Sequence, residues 1–180
     1  MDRIRVRKAK KQDIIEVAEL HVKIWEEVYR GVLDDEFLDK ITVGERNKQW
    51  RKFLENKGER ELFLAEVRKQ NKAKIAGFVA CGPARDENFE QNFPGEIYTI
   101  YVDKKYWRQG IGSELFSLAK NFLQKKGLFP FYLWVLKELT DSRKFYESMG
   151  GEIAAEEITK IGRYEHEDLI YAWEGREDYE

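Results

Sequence analysis

Residues Tyr101 to Leu115 read YVDKKYWRQGIGSEL, and the change of character inside this stretch decides the fold. It begins as the end of an apolar run, Glu96 to Val102 (EIYTIYV), that suits a strand. A basic loop follows, and a helix is predicted from near Gln109, with Ile111, Leu115, Leu118 and Phe122 as its buried face. Gly110 and Gly112 stand where it opens, and glycine lets a backbone come close to a ligand. The first N–H groups of a helix have no intrahelical partners and carry the positive end of its dipole. A strand, a glycine-bearing loop and a helix N-terminus together suit a phosphate or pyrophosphate. Arg108 adds charge and Ser113 a hydroxyl. Leu115 occupies the third glycine position of a dinucleotide fingerprint, so that fingerprint is incomplete.

Upstream, Arg3 to Arg7 alternates apolar and charged residues as a half-buried strand does. Lys11 to Tyr29 carries Ile14, Val17, Ala18, His21, Ile24, Trp25 and Val28 at helical spacing. A turn at Arg30-Gly31 leads to a helical stretch with Phe37, Leu38 and Ile41, and a further helix spans Glu45 to Glu55. Glu61 to Val67 and Lys74 to Cys81 read as a hairpin, and Gly82 to Gly95 as a polar loop. Downstream come a strand, Phe131 to Leu136, and a short helix capped by Thr140 or Asp141 that ends at Gly150-Gly151. Strands at Ile153 to Thr159 and His166 to Trp173 close the chain. The order predicts one mixed α/β (α+β) domain over residues 1–180.

Composition narrows the function. With 180 residues, 42% hydrophobic and 14% aromatic, the chain has apolar side chain enough for a sizeable core. Its 32 basic and 34 acidic residues leave a net charge of -2, without the basic excess of a nucleic-acid binder. No uncharged run exceeds that of Gly127 to Leu136, far short of the roughly 20 residues of a membrane span. The N-terminal MDRIRVRKAKKQD lacks the apolar stretch of a secretory signal, and a cytoplasmic location is expected. Two histidines and one cysteine, in no zinc-binding spacing, give no reason to expect a metal. A serine-nucleophile elbow and a nucleotide-hydrolysing P-loop are both missing. His21 lies on the apolar face of its helix and is expected to be a satisfied, partly buried histidine; Cys81 is expected to be a small buried hydrophobe.

A second chemical feature is Arg143 to Gly151, RKFYESMGG, behind the strand FYLWV. Phe145 and Met149, four apart, are predicted to face the core, leaving Tyr146 on another side, where it is either an aromatic core residue or a hydroxyl that can donate a proton. The pair of features resembles the GCN5-related N-acetyltransferases. That family carries Gln/Arg-x-x-Gly-x-Gly/Ala at a strand–helix junction and, some 35 residues later, a helix with Phe-Tyr-Glu followed by Gly. Here the motifs are Trp107-Arg108-Gln109-Gly110-Ile111-Gly112 and Phe145-Tyr146-Glu147-Ser148-Met149-Gly150. Trp25, Tyr29-Arg30-Gly31 and Leu38 also resemble the helical entry of bacterial members. Trp107 replaces the family's first Gln or Arg, and Leu139 an asparagine that many members carry seven residues before the tyrosine.

The resemblance implies a mostly antiparallel twisted sheet, flanked by helices, whose central strands Glu96 to Val102 and Phe131 to Leu136 splay apart. It implies acetyl-coenzyme A as the cofactor and direct transfer of acetyl to a primary amine of a small molecule or peptide. Backbone groups of Ile100, Tyr101 and Val102 would bond the pantetheine arm; Trp107, Arg108, Gln109, Gly110, Ile111, Gly112 and Ser113 would cradle the pyrophosphate. Tyr146 would protonate the departing thiolate, and Glu96 matches the general-base glutamate of the histone-acetylating branch, with Tyr98 a rival hydrogen-bonding group. Trp25, Tyr29, Tyr98 and Trp134 are the expected acceptor contacts, and the acidic run Glu26, Glu27, Asp34, Asp35, Glu36 and Asp39 could draw in a cationic amine. A monomer or homodimer is expected. The competing reading is a non-catalytic acyl-coenzyme A sensor.

Overall fold

The alternating N-terminal run forms strand β1 (Arg3–Lys8), whose Ile4 and Val6 lean on the central core. The computed structural model describes residues 3–55, 58–69 and 72–175. After a 3-10 turn at Lys11–Asp13, α1 (Ile14–Tyr29) buries Ile14, Val17, Ala18, His21 and Ile24, the stripe that its spacing predicts. Next come α2 (Asp35–Leu38) and α3 (Val43–Glu55), then the hairpin β2 (Glu61–Lys69) and β3 (Lys72–Pro83). The stretch expected to be loop contains a single helical turn, α4 (Glu87–Glu90), because the Asp86 carboxylate accepts the Asn88 N–H at 2.9 Å. The rest is β4 (Gly95–Val102), α5 (Ile111–Lys125), β5 (Phe131–Leu136), α6 (Thr140–Ser148), β6 (Glu152–Ile161) and β7 (Tyr164–Trp173).

The seven strands form one sheet in the order β1-β2-β3-β4-β5-β7-β6, antiparallel everywhere except between β4 and β5. That parallel pair is in register only at Gly95–Phe131 and Glu96–Tyr132. Beyond it the two strands part, as expected. The local cause is a bulge: Ala80 pairs with Thr99 and Cys81 with Ile97, so Tyr98 is the extra residue. A bulge bends its strand and breaks the ladder.

One sheet face packs on α5 through Ile111, Leu115, Phe116, Ala119 and Leu123. The other carries α1 and α3, with Trp50 and Leu54 over Leu62, Leu64 and Phe78. No helix among the described residues is long and apolar enough to cross a membrane.

Two local expectations at α6 need correction. Leu139, not Thr140 or Asp141, is the N-cap, and no side chain caps this helix. Tyr146 is the buried residue, whereas Phe145 and Met149 are half-buried. Phe145 is occupied at the start of α5, which lets Tyr146 sink toward Tyr171 and Trp173, ring centres 5.9 and 6.3 Å away.

Candidate active site

Where β4 and β5 part, they leave a cleft of about 950 Å³. Ile97 to Val102 form one wall and Leu133 to Leu136 the other, with Tyr146 of α6 and the first turn of α5 also exposed in it. The strand edges facing the cleft lack a neighbouring strand beyond Glu96, so their backbone groups are available to an added chain.

The loop before α5 is fixed from below. Asp103, 1% exposed, accepts the Lys105 N–H at 3.1 Å and the Lys23 ammonium at 2.7 Å. Burial alone would raise its carboxyl, but Lys23 and the Lys105 N–H outweigh that and hold it below the ordinary range. Arg108 (φ 62°) and Gly110 (φ 82°) then take left-handed conformations that turn the chain into the helix. Gly110 is the N-cap and has no side chain to cover the first N–H groups of α5. Arg108, Gly110, Ile111, Gly112 and Ser113 all line the cleft.

Three residues of this cradle behave differently from expectation. Gln109 is exposed and is not part of the cleft wall. Gly112 serves packing: a Cβ there would lie 3.2 Å from the Phe145 ring, so the missing side chain seats α6 against α5. Trp107 lines the cleft, but its indole N–H donates to the Val102 carbonyl at 2.8 Å. That carbonyl is therefore already engaged, and the Tyr101 backbone faces β3, in step with the Asp103 N–H that donates to the Ala76 carbonyl, so Ile100 is left as the better backbone partner for a bound arm.

Tyr146 is 8% exposed, and burial, then the Tyr101 phenol, pushes its own phenol well above the ordinary range. It therefore holds its proton throughout neutral pH. The Tyr101 hydroxyl accepts the Trp25 indole N–H at 2.9 Å, and Tyr29 lies 4.8 Å from the Trp25 ring, centre to centre. Trp25, Tyr29, Tyr98 and Trp134 all line the cleft. The Thr99 hydroxyl is buried in this region without a partner among the described residues.

Glu96 is placed elsewhere. It is 1% exposed and borders a shallow depression with Asp86, Glu87 and Tyr132 that meets the cleft at Arg85 and Trp134. Its Oε2 accepts the Arg85 N–H at 3.0 Å and the Tyr132 hydroxyl at 3.3 Å, while the Arg85 guanidinium reaches both oxygens. Burial, then Glu96, pushes the Tyr132 phenol up to about 12. The carboxylate is thus bound in an ion pair and off the cleft wall, which contradicts its expected place as a free base beside the acceptor. Tyr98 is also committed, donating to the Pro83 carbonyl at 2.6 Å.

The acidic run outside is largely neutralised. Arg30 reaches Glu26, Asp35 and Asp39, and Arg163, at the β6–β7 turn, holds Asp34 at 2.9 Å. Two acidic residues line the cleft, the exposed Asp141 at the start of α6 and a buried one that sequence reasoning missed, Asp168 on β7, with Thr159 of β6 donating to it. Its signal was the two-residue period that sets His166 and Asp168 on the same strand face as buried Ile170 and Ala172. Cys81 is fully buried, and burial pushes its thiol up, which removes it as a nucleophile. His21 is only half satisfied: Nδ1 accepts the Trp50 indole N–H at 3.1 Å, and Nε2 has no partner among the described residues.

The comparisons agree with this geometry. The acetyltransferase (GNAT) family model matches residues 16–151. The uncharacterized N-acetyltransferase YuaI of Bacillus subtilis is 27% identical over 170 residues, covering 94% of this chain and 92% of its own length. The PaiA N-acetyltransferase from Thermoplasma acidophilum, solved in complex with coenzyme A, superposes with a TM-score of 0.70 at 18% identity, over 96% of this chain and 99% of its own. YncA from Salmonella typhimurium, solved with its cofactor acetyl-CoA, gives 0.70 at 15% identity, over 98% and 96%. A split β4–β5 pair, a glycine-capped α5 and a match that runs from α1 past α6 lead to one assignment: the chain belongs to the acetyltransferase (GNAT) family.

Proposed function

We propose that the protein transfers acetyl from acetyl-coenzyme A directly to a primary amine of a small molecule or peptide. The observation that carries this reading is the continuity of the cleft. It joins the uncapped start of α5, the unpaired edge of β4, the Tyr146 phenol and an aromatic-walled end. Acetyl-coenzyme A, when bound, supplies an activated thioester. The residues present fit it: N–H groups of Gly110 to Ser113, with Arg108, offer donors and positive charge for the pyrophosphate. Ile100 offers backbone groups for the pantetheine arm, and the partnerless Thr99 hydroxyl a further donor. N–H groups of the β4 edge would polarise the carbonyl.

Tyr146 keeps its proton at neutral pH and would deliver it to the departing thiolate, while the proton that the amine loses on attack would pass through water and restore the phenol. Glu96 is assigned a positioning role, holding Arg85 at the cleft rim. One observation favours the sensor reading: the carboxylate that best matched a family base is tied to Arg85.

Titration of acetyl-coenzyme A, coenzyme A and desphospho-coenzyme A by calorimetry, followed by thiol release with an amine panel, tests both. Binding with amine-dependent thiol release supports the enzyme. Binding without release for any amine supports the sensor. No binding of the three ligands overturns both readings.

A further inference from the structure

One carboxylate in the cleft wall has no part in the chemistry above. Asp168 is 7% exposed, lines the cleft, and accepts a hydrogen bond from the Thr159 hydroxyl. It makes no ion pair among the described residues. Lys137 is committed to Glu156 and Glu167, Arg143 to the Tyr171 hydroxyl and the Lys137 carbonyl, and Arg163 to Asp34; Lys160, beside Thr159, and Lys144, on the cleft wall, are exposed and make no ion pair with Asp168.

Leu136 of β5 pairs with Asp168 across the sheet, Glu157 pairs with it from β6, and His166 shares its face of β7. The phenol of Tyr29 in α1 feels its charge, and Glu138, after β5, adds a second negative charge. His166 attracts the carboxylate without bonding it. Burial is the largest influence, and it pushes the Asp168 carboxyl above its ordinary range. A carboxylate taken out of water without a counter-ion is costly, so a cation entering this cleft gains at that point. Aromatic rings of Trp25, Tyr29 and Trp134 suit an ammonium, and Leu139 and Ile161 suit the alkyl stem behind it.

We infer that Asp168, braced by Thr159, is the counter-ion for the acceptor's ammonium group and selects a primary amine on a short aliphatic stem over a neutral acceptor. This rests on the acetyl-transfer reading of the cleft. The probes are n-pentylamine, cadaverine and the neutral alcohol n-pentanol, titrated by calorimetry into protein saturated with coenzyme A. The wild type should bind both amines about tenfold more tightly than the alcohol, the scale of one hydrogen bond to a charged group. Asp168→Asn should lose about that factor for the amines and nothing for the alcohol, with coenzyme A affinity kept. If Asp168→Asn does not fold, Thr159→Val decides: an amine-selective loss of about threefold supports the inference. Amines that bind no better than the alcohol, or variants with unchanged amine preference, overturn it. Coenzyme A binding without amine preference removes this inference alone. Absence of coenzyme A binding removes the acetyl-transfer reading, and the same amine titrations on the free protein then still test Asp168.

Discussion

Tyr146 is the one tyrosine lining the cleft that is buried and free of internal hydrogen bonds among the described residues, and it holds its proton firmly. Tyr146→Phe keeps the ring contacts with Tyr171 and Trp173 and removes only the proton. Turnover should fall about tenfold or more while acetyl-coenzyme A affinity stays within a factor of about two, the behaviour of a group that acts on the leaving thiolate. Thiol release and calorimetry on the same preparation check it, and undiminished turnover would take Tyr146 out of the mechanism. The two motif glycines should separate as cleanly. Nothing lies within 4 Å of a Cβ built on Gly110, but its φ of 82° resists a side chain. Gly110→Val should therefore weaken coenzyme A binding at a stability cost of about 1–2 kcal/mol. Gly112→Val drives into the Phe145 ring and should cost about 1–3 kcal/mol, the range for overpacking, with binding lost as a consequence. Coenzyme A affinity kept in Gly110→Val, or a Gly112→Val protein as stable as the wild type, would contradict this division.

Elements were legible in the sequence wherever one local pattern dictates both conformation and burial. α1 and α5 declare themselves by apolar spacing, and β5 by an apolar run too short for a helix. The parting of β4 and β5 was reachable only through the family resemblance, because its physical cause is a bulge at Tyr98, a register fact between β3 and β4 with no local signature. The engagement of Glu96 was hidden for a similar reason. Its partner Arg85 comes from the loop that α4 reshapes, eleven residues away in sequence, and ion pairing across such a loop is invisible to spacing. Asp168 was missed because a lone acid in an apolar strand reads as a solvated residue until Thr159 is placed beside it. The loop between β4 and α5 is the element where an anchoring prediction belongs. Asp103→Ala removes the acceptor for the Lys105 N–H and the Lys23 ammonium, which should destabilise the protein by about 1–2 kcal/mol. The disordered loop should also weaken coenzyme A more than pantetheine, which lacks the phosphates. Equal losses for the two ligands would show that the loop does not read the phosphate end.

For the whole molecule, the pH dependence of stability follows from where charge is buried. The His21 imidazole, 7% exposed, is pulled down to about 3 by burial and then by the Arg46 charge. In an unfolded chain it titrates near 6.5, so between these values the unfolded state binds the extra proton and stability falls as pH falls. Asp13 acts in the same direction at lower pH. Its hydrogen bonds from Arg7, chiefly, hold its carboxyl below the ordinary range despite burial, so its contribution is full above the ordinary carboxylate value and lost as pH drops through the folded one. That loss also loosens the Arg7 link between β1 and Glu66 of β2. Asp168 runs the opposite way, since its raised carboxyl favours the folded state on the acid side and that advantage is lost as pH rises. His21 dominates above pH 4 because its window is the widest of the three. Unfolding free energy should therefore decline from about pH 6.5 downward with a slope approaching one proton, about 1.4 kcal/mol per pH unit. His21→Phe abolishes that proton uptake but strands the Trp50 indole N–H, at a cost of about 1–3 kcal/mol at neutral pH. The variant should thus be the less stable protein at pH 7 and lose less on acidification, so that the two curves converge toward pH 4 in denaturant titrations. Parallel curves would mean that His21 takes up its proton in the folded state at its ordinary pH.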